Sequence, residues 1–307
     1  VRILVSVGVG LPIVAFDGVV AETNLSLSAD LGGSRFECVA MDRSIEMNLD
    51  EKIRQWPNMP DGVIAGMIFA EYGMIPVVQP TTLVRTQLDT TVTQRDTDIR
   101  FLRRLAARNG YDVYVRPGPV PGIVEGHFHP PTLDLPPQGV LSVDMGDATN
   151  VESFSARHDL LRAARSHAGG VDARRVSAQQ VRSSGASESE LGRRGTVGAG
   201  ARTTYLRPSG LNVDNELELS AQSAVDTSSW GITARGELDP SVYGDLLRPA
   251  ATVLVRGAGT TFSGAYYVEH VTHHVVGERY RQQFTLRRNA VEPIGTELYL
   301  SDGGLLP

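Results

Sequence analysis

The two ends of this chain repeat one β pattern, and that repeat constrains the fold more than any other feature. Near the start, "ILVSVGVG" leads to "FDG" at 16–18, and "RFECVAMDR" follows. Near the end, "TVLVRGAG" leads to "FSG" at 262–264, and "RQQFTLRR" follows. From Gly18 to Phe36 is 18 residues, and from Gly264 to Phe284 is 20. Each stretch reads as a strand ending in glycines, an aromatic-x-Gly step, a long hairpin, and a strand with a central phenylalanine. Two copies of one β-module, separated by helical insertions, account for the pattern. The 32 glycines and 17 prolines supply the turns that a strand-rich chain needs.

Between the copies the periodicity changes. "DGVIAGMIFAEYG" places Val63, Ile64, Met67 and Ile68 on one face of a short helix, with Asp61 as its cap and Gly73 at its end. Residues 74–95 are β-branched and read as extended. "TDIRFLRRLAARNGYDVYV", 97–115, reads as a helix capped by Asp96 or Thr97 that runs into a strand. Phe101, Leu102, Leu105 and Ala106 form its buried face, and Arg100, Arg103, Arg104 and Arg108 point mostly outward. "HFHPPTLDLPPQ", 127–138, is a proline-rich joint and the first domain boundary. From 160 to 204 the chain turns to Arg, Ala, Ser and Gly, the composition of a mobile loop or insertion. A short helix at 214–225 and three strands follow. In the last strand Tyr280, Phe284 and Leu286 alternate with Arg281, Gln283, Thr285 and Arg287, the pattern of a half-buried antiparallel strand.

Charge and composition exclude several classes. A net charge of -6 argues against nucleic acid as the main partner. Cys38 is the only cysteine, so neither an internal disulfide nor a cysteine-based zinc site can form, and Cys38 is expected to pack as a small apolar residue. No apolar run reaches about 18 residues, so no membrane segment is expected. The opening "VRILVSVGVG" lacks the flanks and cleavage pattern of a signal peptide. Because the chain starts at Val1 in mid-strand, the true N-terminus is expected to lie upstream. Lys52 is the only lysine among 29 basic residues, which matches a GC-rich codon bias.

The sequence carries no recognisable catalytic constellation. "GVGLPI" has Pro12 and Ile13 where a dinucleotide-binding helix would begin, and "GTVGAGAR" lacks the Gly-Lys-Ser/Thr step of a P-loop. His127 and His129 share a strand face, as do His270 and His274, with His273 opposite. Three or four imidazoles are enough for a divalent ion, but no H-E-x-x-H helix exists. Strand histidines in hydrogen-bond networks are the plainer reading. The acid pairs Glu188/Glu190 and Glu216/Glu218 lie in polar segments, and "SSG" at 183–185 has no nucleophile elbow. No metal, no cofactor and no enzymatic activity are expected.

Four segments resemble the late control protein D family, which includes baseplate hubs of contractile phages and the N-terminal part of VgrG-type spike proteins. "TDIRFLRRLAARNGYDVYV" resembles its Asp-x-x-Phe-Leu-x-x-Leu-Ala-x-x-x-Gly-Tyr segment. "FDGVV" resembles its Phe-x-Gly-x-Ile/Val strand, "AMDRS" its Asp-Arg step, and "GAYYVEHVTHHVVGERYRQQFTLRRN" its late hairpin. The matches run in family order from about residue 13 to 290, while 160–204 departs from the pattern.

The resemblance implies a mainly β chain with α+β insertions and two tube-protein-like antiparallel β-barrels. As a homotrimer it would form a pseudo-hexameric ring. The implied domains are a first barrel at 1–47, an α/β insertion at 48–138, and a second barrel from 139–159 and 249–292. An insertion with a flexible segment at 160–248 and a tail toward the spike at 293–307 complete the chain. The implied role is a baseplate hub of a phage tail or contractile injection system, assembled in the cytoplasm as part of the particle. Its partners would be the inner tube protein, a separate or fused spike, and other baseplate components, with no stable nucleic-acid binding. Arg100, Arg103, Arg104 and Arg108 would meet acidic assembly surfaces, while Phe101, Leu102 and Leu105 fill the insertion core. Two rival readings stand beside it. One is a metal-dependent hydrolase using His127, His129, His270 and His274. The other is a β-rich surface-binding tail module, for which 6% aromatic content is thin.

Overall fold

Short β-branched runs punctuated by glycine and proline become short strands, and the chain divides at Pro130/Pro131 into two compact units. The computed structural model describes residues 1–6, 12–30, 32–85, 91–118, 120, 122–172, 177–198, 200–206, 214–295 and 297. Gly8 to Leu11 of the "GVGLPI" motif, Leu31, and most of the 293–307 tail lie outside the described residues.

Unit 1 (Val1–Pro130) begins with two antiparallel pairs. Strands β1 (Arg2–Val5) and β2 (Ile13–Asp17) form one, and β3 (Val19–Ser26) and β4 (Arg35–Met41) the other. A 3-10 turn at Arg43–Asn48 then carries Met47 into the interior. The α/β part follows. Strand β5 (Glu51–Trp56) pairs with β7 (Val92–Thr97), and β6 (Ile75–Val78) runs parallel to β9 (Val124–His129), which pairs with β8 (Asp112–Pro117). Helices α1 (Asp61–Glu71) and α2 (Asp98–Asn109) cover these sheets. Trp56, Ile64, Ile68, Phe69, Phe101, Leu102, Leu105 and Phe128 form the core. The Phe69 ring occupies the space that a side chain at Gly126 of β9 would need.

The ends and faces of the helices depart from the sequence reading in places. Gly110 closes α2 in the left-handed conformation that glycine adopts without strain, with its N–H on the Ala106 carbonyl. Thr97 stands at the N-cap of α2, but its hydroxyl donates to Asn48 instead of the helix. Asp61 is the first helical residue of α1, not its cap, and it is buried. The buried face of α1 is Ile64, Ala65, Ile68 and Phe69. Val63 and Met67 face outward at 50% and 43% exposure, which corrects the expected face. Of the stretch 74–95 expected to be extended, the described residues form β6 and the start of β7 in two different sheets, and 86–90 lie outside the described residues.

Unit 2 (Pro131–Pro307) is built on a six-stranded sheet. Its strands are β10 (Val140–Ser142), β11 (Ser153–His158), β16 (Ile232–Leu238), β17 (Thr252–Arg256), β18 (Gly264–Val276) and β19 (Arg279–Arg288), in the order β10-β17-β18-β19-β16-β11. Strand β10 lies parallel to β17 and the other pairs are antiparallel. One face buries Ile232, Ala234, Val253, Val255, Tyr266, Val268, Phe284 and Leu286, and the alternation of β19 follows the sequence pattern.

Residues 160–204 do not form a featureless loop. Strands β12 (Ala164–Asp172), β13 (Ser177–Ser183) and β15 (Arg202–Leu206) make a second sheet in the order β13-β12-β15. Helix α3 (Asp214–Ser229), longer than expected, packs on it through Leu217 and Ala221 against Ala168. The two-residue strands β14 (Arg194–Gly195) and β20 (Ala290–Val291) pair with each other. Strand β16, expected within the 160–248 insertion, lies between β19 and β11 in the main sheet. Among the described residues the pairings form open sheets and close no barrel.

Arg288, at the end of β19, is fully buried. Its guanidinium donates to three backbone carbonyls: Leu191 at 3.0 Å, Ser263 at 2.7 Å and Glu292 at 2.8 Å. It also lies 5.4 Å from the centre of the Tyr266 ring. A planar, permanently charged fork suits this role, because it satisfies several divergent acceptors at once.

The internal repeat is visible in part. Gly18 and Gly264 each introduce a long hairpin, β3–β4 and β18–β19, and each hairpin has a register shift near its start. The preceding strands differ, because β17 pairs with its hairpin whereas β1 pairs with β2.

Candidate functional site

The arginine-rich helix α2 serves two ends. Asp61 is buried under it and accepts from Arg108 at 2.5 and 3.1 Å, Asn109 at 2.7 Å and buried Arg85 at 3.2 Å. A carboxylate so placed requires its cations, since an unpaired buried charge is strongly unfavourable. Arg108 therefore turns inward instead of joining the outward set. Arg104 is exposed, pairs with Asp96 at 2.9 Å and stands over Phe101. Arg100 and Arg103 are exposed and have no partner among the described residues. Phe101, Leu102 and Leu105 are buried in the unit 1 core.

Asp98, the first residue of α2, is buried too. It accepts from Lys52 at 2.5 Å, Gln94 at 2.6 Å and Tyr72 at 2.7 Å. Burial pushes this carboxyl up, but the three donors outweigh it and hold the group below the usual range. The only lysine of the chain is thus part of the helix's foundation. Sequence reading missed both buried aspartates, because their partners lie up to 48 positions away.

The histidines form hydrogen-bond networks. His127 on β9 donates to or accepts from His129 at 3.1 Å and contacts Glu125 at 3.0 Å. The Tyr114 ring stacks on it at 4.6 Å, and Tyr114 reaches His129 through its hydroxyl at 3.3 Å. His129 also meets the Pro130 carbonyl at 2.7 Å. Burial, with Arg116 nearby, lowers His127 from 6.5 to about 4. Burial raises Glu125, but hydrogen bonds with Arg116 and His127 leave it below its ordinary value. His270 and His274 belong to unit 2, on β18; His270 contacts Thr272 and His273 contacts Tyr280. Among the described residues no three His, Cys, Asp or Glu side chains gather as a metal site.

Two surfaces stand out. The β3–β4 ribbon is exposed almost along its whole length, with Leu25 and Phe36 at 61% and 65%. Cys38 is exposed on the same ribbon, not packed as expected, because the ribbon has little covering it. The second surface is the polar face of the six-stranded sheet, which holds a depression of about 310 Å³ lined by Ser153, Ser155, Arg235, Glu237, His270 and Thr272, among others. Glu237 there accepts from Arg281 at 2.8 Å and Gln283 at 3.1 Å. Among the described residues no helix is long and apolar enough to cross a membrane.

Solved structures share this arrangement of sheets and helices. A tail protein from Neisseria meningitidis MC58 superposes with a TM-score of 0.64 at 12% identity, covering 90% of this chain and 81% of its own. The 43 kDa tail protein of prophage MuSo2 from Shewanella oneidensis gives 0.60 at 14%, covering 89% and 78%. An E. coli component of the type VI secretion system gives 0.54 at 14%, covering 91% of this chain and 61% of its own. The chain therefore has the fold of these tail proteins. No curated protein sequence matches it. The profile of the family described as the Alg8 N-terminal domain matches residues 11–277, and the chain belongs to that family.

Proposed function

We propose that this chain is the structural hub of a phage tail or contractile injection system, acting as a homotrimer between an inner tube and a spike. The exposed β3–β4 ribbon carries the reading. An isolated two-stranded ribbon is at best marginally stable in water. This one presents Val20, Leu25, Phe36 and Val39 to solvent, so a partner surface must cover it. On a chain with a tail-protein fold, a neighbouring copy is the simplest cover. The ribbon and β1–β2 would then complete the first barrel across the subunit boundary, and the six-stranded sheet would supply the second. The motifs shared with the late control protein D family fit the same role. The task is mechanical: the hub matches symmetries and transmits force, and it catalyses no reaction.

Native mass measurement tests the proposal. A trimer of 33.1 kDa chains weighs about 99 kDa. A species of that mass, lost in Phe36→Asp while the monomer stays folded, is the expected result. A monomer at all concentrations, with the inner tube protein present as well, would refute the homotrimer.

A further inference from the structure

On the polar face of the six-stranded sheet some arginines are matched by carboxylates, whereas two that lie diagonally across β11 and β16 are not. Arg281 lies 2.8 Å from Glu237 and 3.1 Å from Glu152, and Arg287 lies 3.8 Å from Glu269. Arg157 of β11 and Arg235 of β16 are both exposed, and neither side chain has a partner among the described residues. The register pairs Ser155 with Arg235 and Arg157 with Thr233. Antiparallel partners project to the same face, so the two arginines are diagonal neighbours, roughly 7–8 Å apart at their roots. Like charges so placed repel one another, and among the described residues no carboxylate pairs with either of them. Arg235 lines the 310 Å³ depression, whose floor is low because β11 contributes only Ser153 and Ser155 there. Arg157 stands beside it on β11, an edge strand of the sheet.

We propose that this groove docks an extended, acidic segment of a partner polypeptide, with one carboxylate bridging Arg157 and Arg235. The bidentate geometry of guanidinium and carboxylate suits such a bridge. Ser155, Thr233 and Thr285 border the pair with hydroxyls that accept or donate to a peptide backbone. The partner is a polypeptide and not a nucleic acid because the same face carries Glu152 and Glu237. A uniform row of phosphates would run into both, whereas a peptide can place its acids only at the arginines. This surface is distinct from the β3–β4 ribbon and does not depend on the hub reading.

Fluorescence anisotropy with the full chain tests it, using a labelled Glu-Ser repeat peptide of about ten residues and a thymidine oligonucleotide of similar length. The peptide should bind the wild type saturably. Its affinity should fall at least about tenfold in Arg157→Gln/Arg235→Gln, and hold in the control Arg95→Gln/Arg182→Gln, two exposed arginines on other strands. The double variant should melt no more than about 2 °C below wild type, since neither side chain has a partner to lose. Ser155→Glu gives an independent check, because an acid built into the groove should occupy the pair and abolish peptide binding. Three results overturn the proposal: no saturable peptide binding up to about 1 mM, equal binding by wild type and the variants, or tighter oligonucleotide binding that needs the same two arginines.

Discussion

Replacing Arg288 by methionine should unfold unit 2 well before unit 1. The substitution keeps much of the side chain's length and removes all of its donors. Three carbonyls, of Leu191, Ser263 and Glu292, then lose their partner. A hydrogen bond from a charged donor contributes roughly 1.5–3 kcal/mol, so the gross loss is about 5–9 kcal/mol. Water can reach part of the vacated site and methionine recovers some packing, while removal of one member of a buried charged network typically costs about 3–5 kcal/mol. We therefore expect about 4 kcal/mol, equivalent to roughly 8–16 °C for a unit of this size. The assay is simple because Trp56 lies in unit 1 and Trp230 in unit 2, and they are the only tryptophans. Trp230 packs against Leu191, whose carbonyl Arg288 holds, so fluorescence in a Trp56→Phe background reports the affected region. Arg288→Lys should recover less than half of the loss, since an ammonium cannot span three divergent acceptors. A fall of less than about 2 °C in Arg288→Met would refute the claim that the guanidinium holds these loops.

Other outcomes follow from unit 1 and its surfaces. His127 is held neutral in the fold, lowered from 6.5 to about 4, so the unfolded chain takes up its proton first as the pH falls. Unit 1 should lose up to about 3 kcal/mol between pH 6.5 and 4 through this group. Urea titrations of His127→Gln should show a flatter pH profile than wild type, and parallel profiles would sink the assignment. Asp61→Ala leaves Arg85 buried without its carboxylate and should cost about 3–5 kcal/mol by chemical denaturation. A cost below about 1 kcal/mol would mean that the cluster is idle. Arg103→Glu/Arg104→Glu should leave the monomer's melting unchanged within about 2 °C, because the Arg104–Asp96 pair is exposed. It should nevertheless lower the yield of assembled particles; an unchanged yield would remove α2 from the assembly surface.

Helix α2 was legible because its apolar and charged residues separate cleanly, and Gly110 marks its end. Helix α1 hid its orientation for the opposite reason: nearly every position is apolar, so periodicity finds the helix but cannot choose between Val63/Met67 and Ala65/Phe69. The β12-β13-β15 sheet was invisible because its covered face is made of Ala164, Ser166, Ala168 and Gly170. Those small residues let α3 approach closely, yet they read as linker composition. Strand β16 carries Gly236 where Phe284 of β19 covers the gap, which weakened its strand signal. The buried aspartates and Arg288 look in sequence like any surface charges. Their burial comes from contacts far apart in the chain, which no local pattern encodes.

The position of Arg288 has a consequence for tension. The chain leaves the sheet through Ala290 and Val291, which pair with only two residues of β14, and then passes Glu292, whose carbonyl the guanidinium grips. A pull on the segment beyond Glu292 first meets this grip and then β19. That strand is flanked by β18 and β16 along most of its length. Drawing it out along its own axis shears both ladders together, whereas peeling an edge strand would break bonds one at a time. A tensile load applied beyond Glu292 would therefore enter the sheet in shear instead of unzipping it.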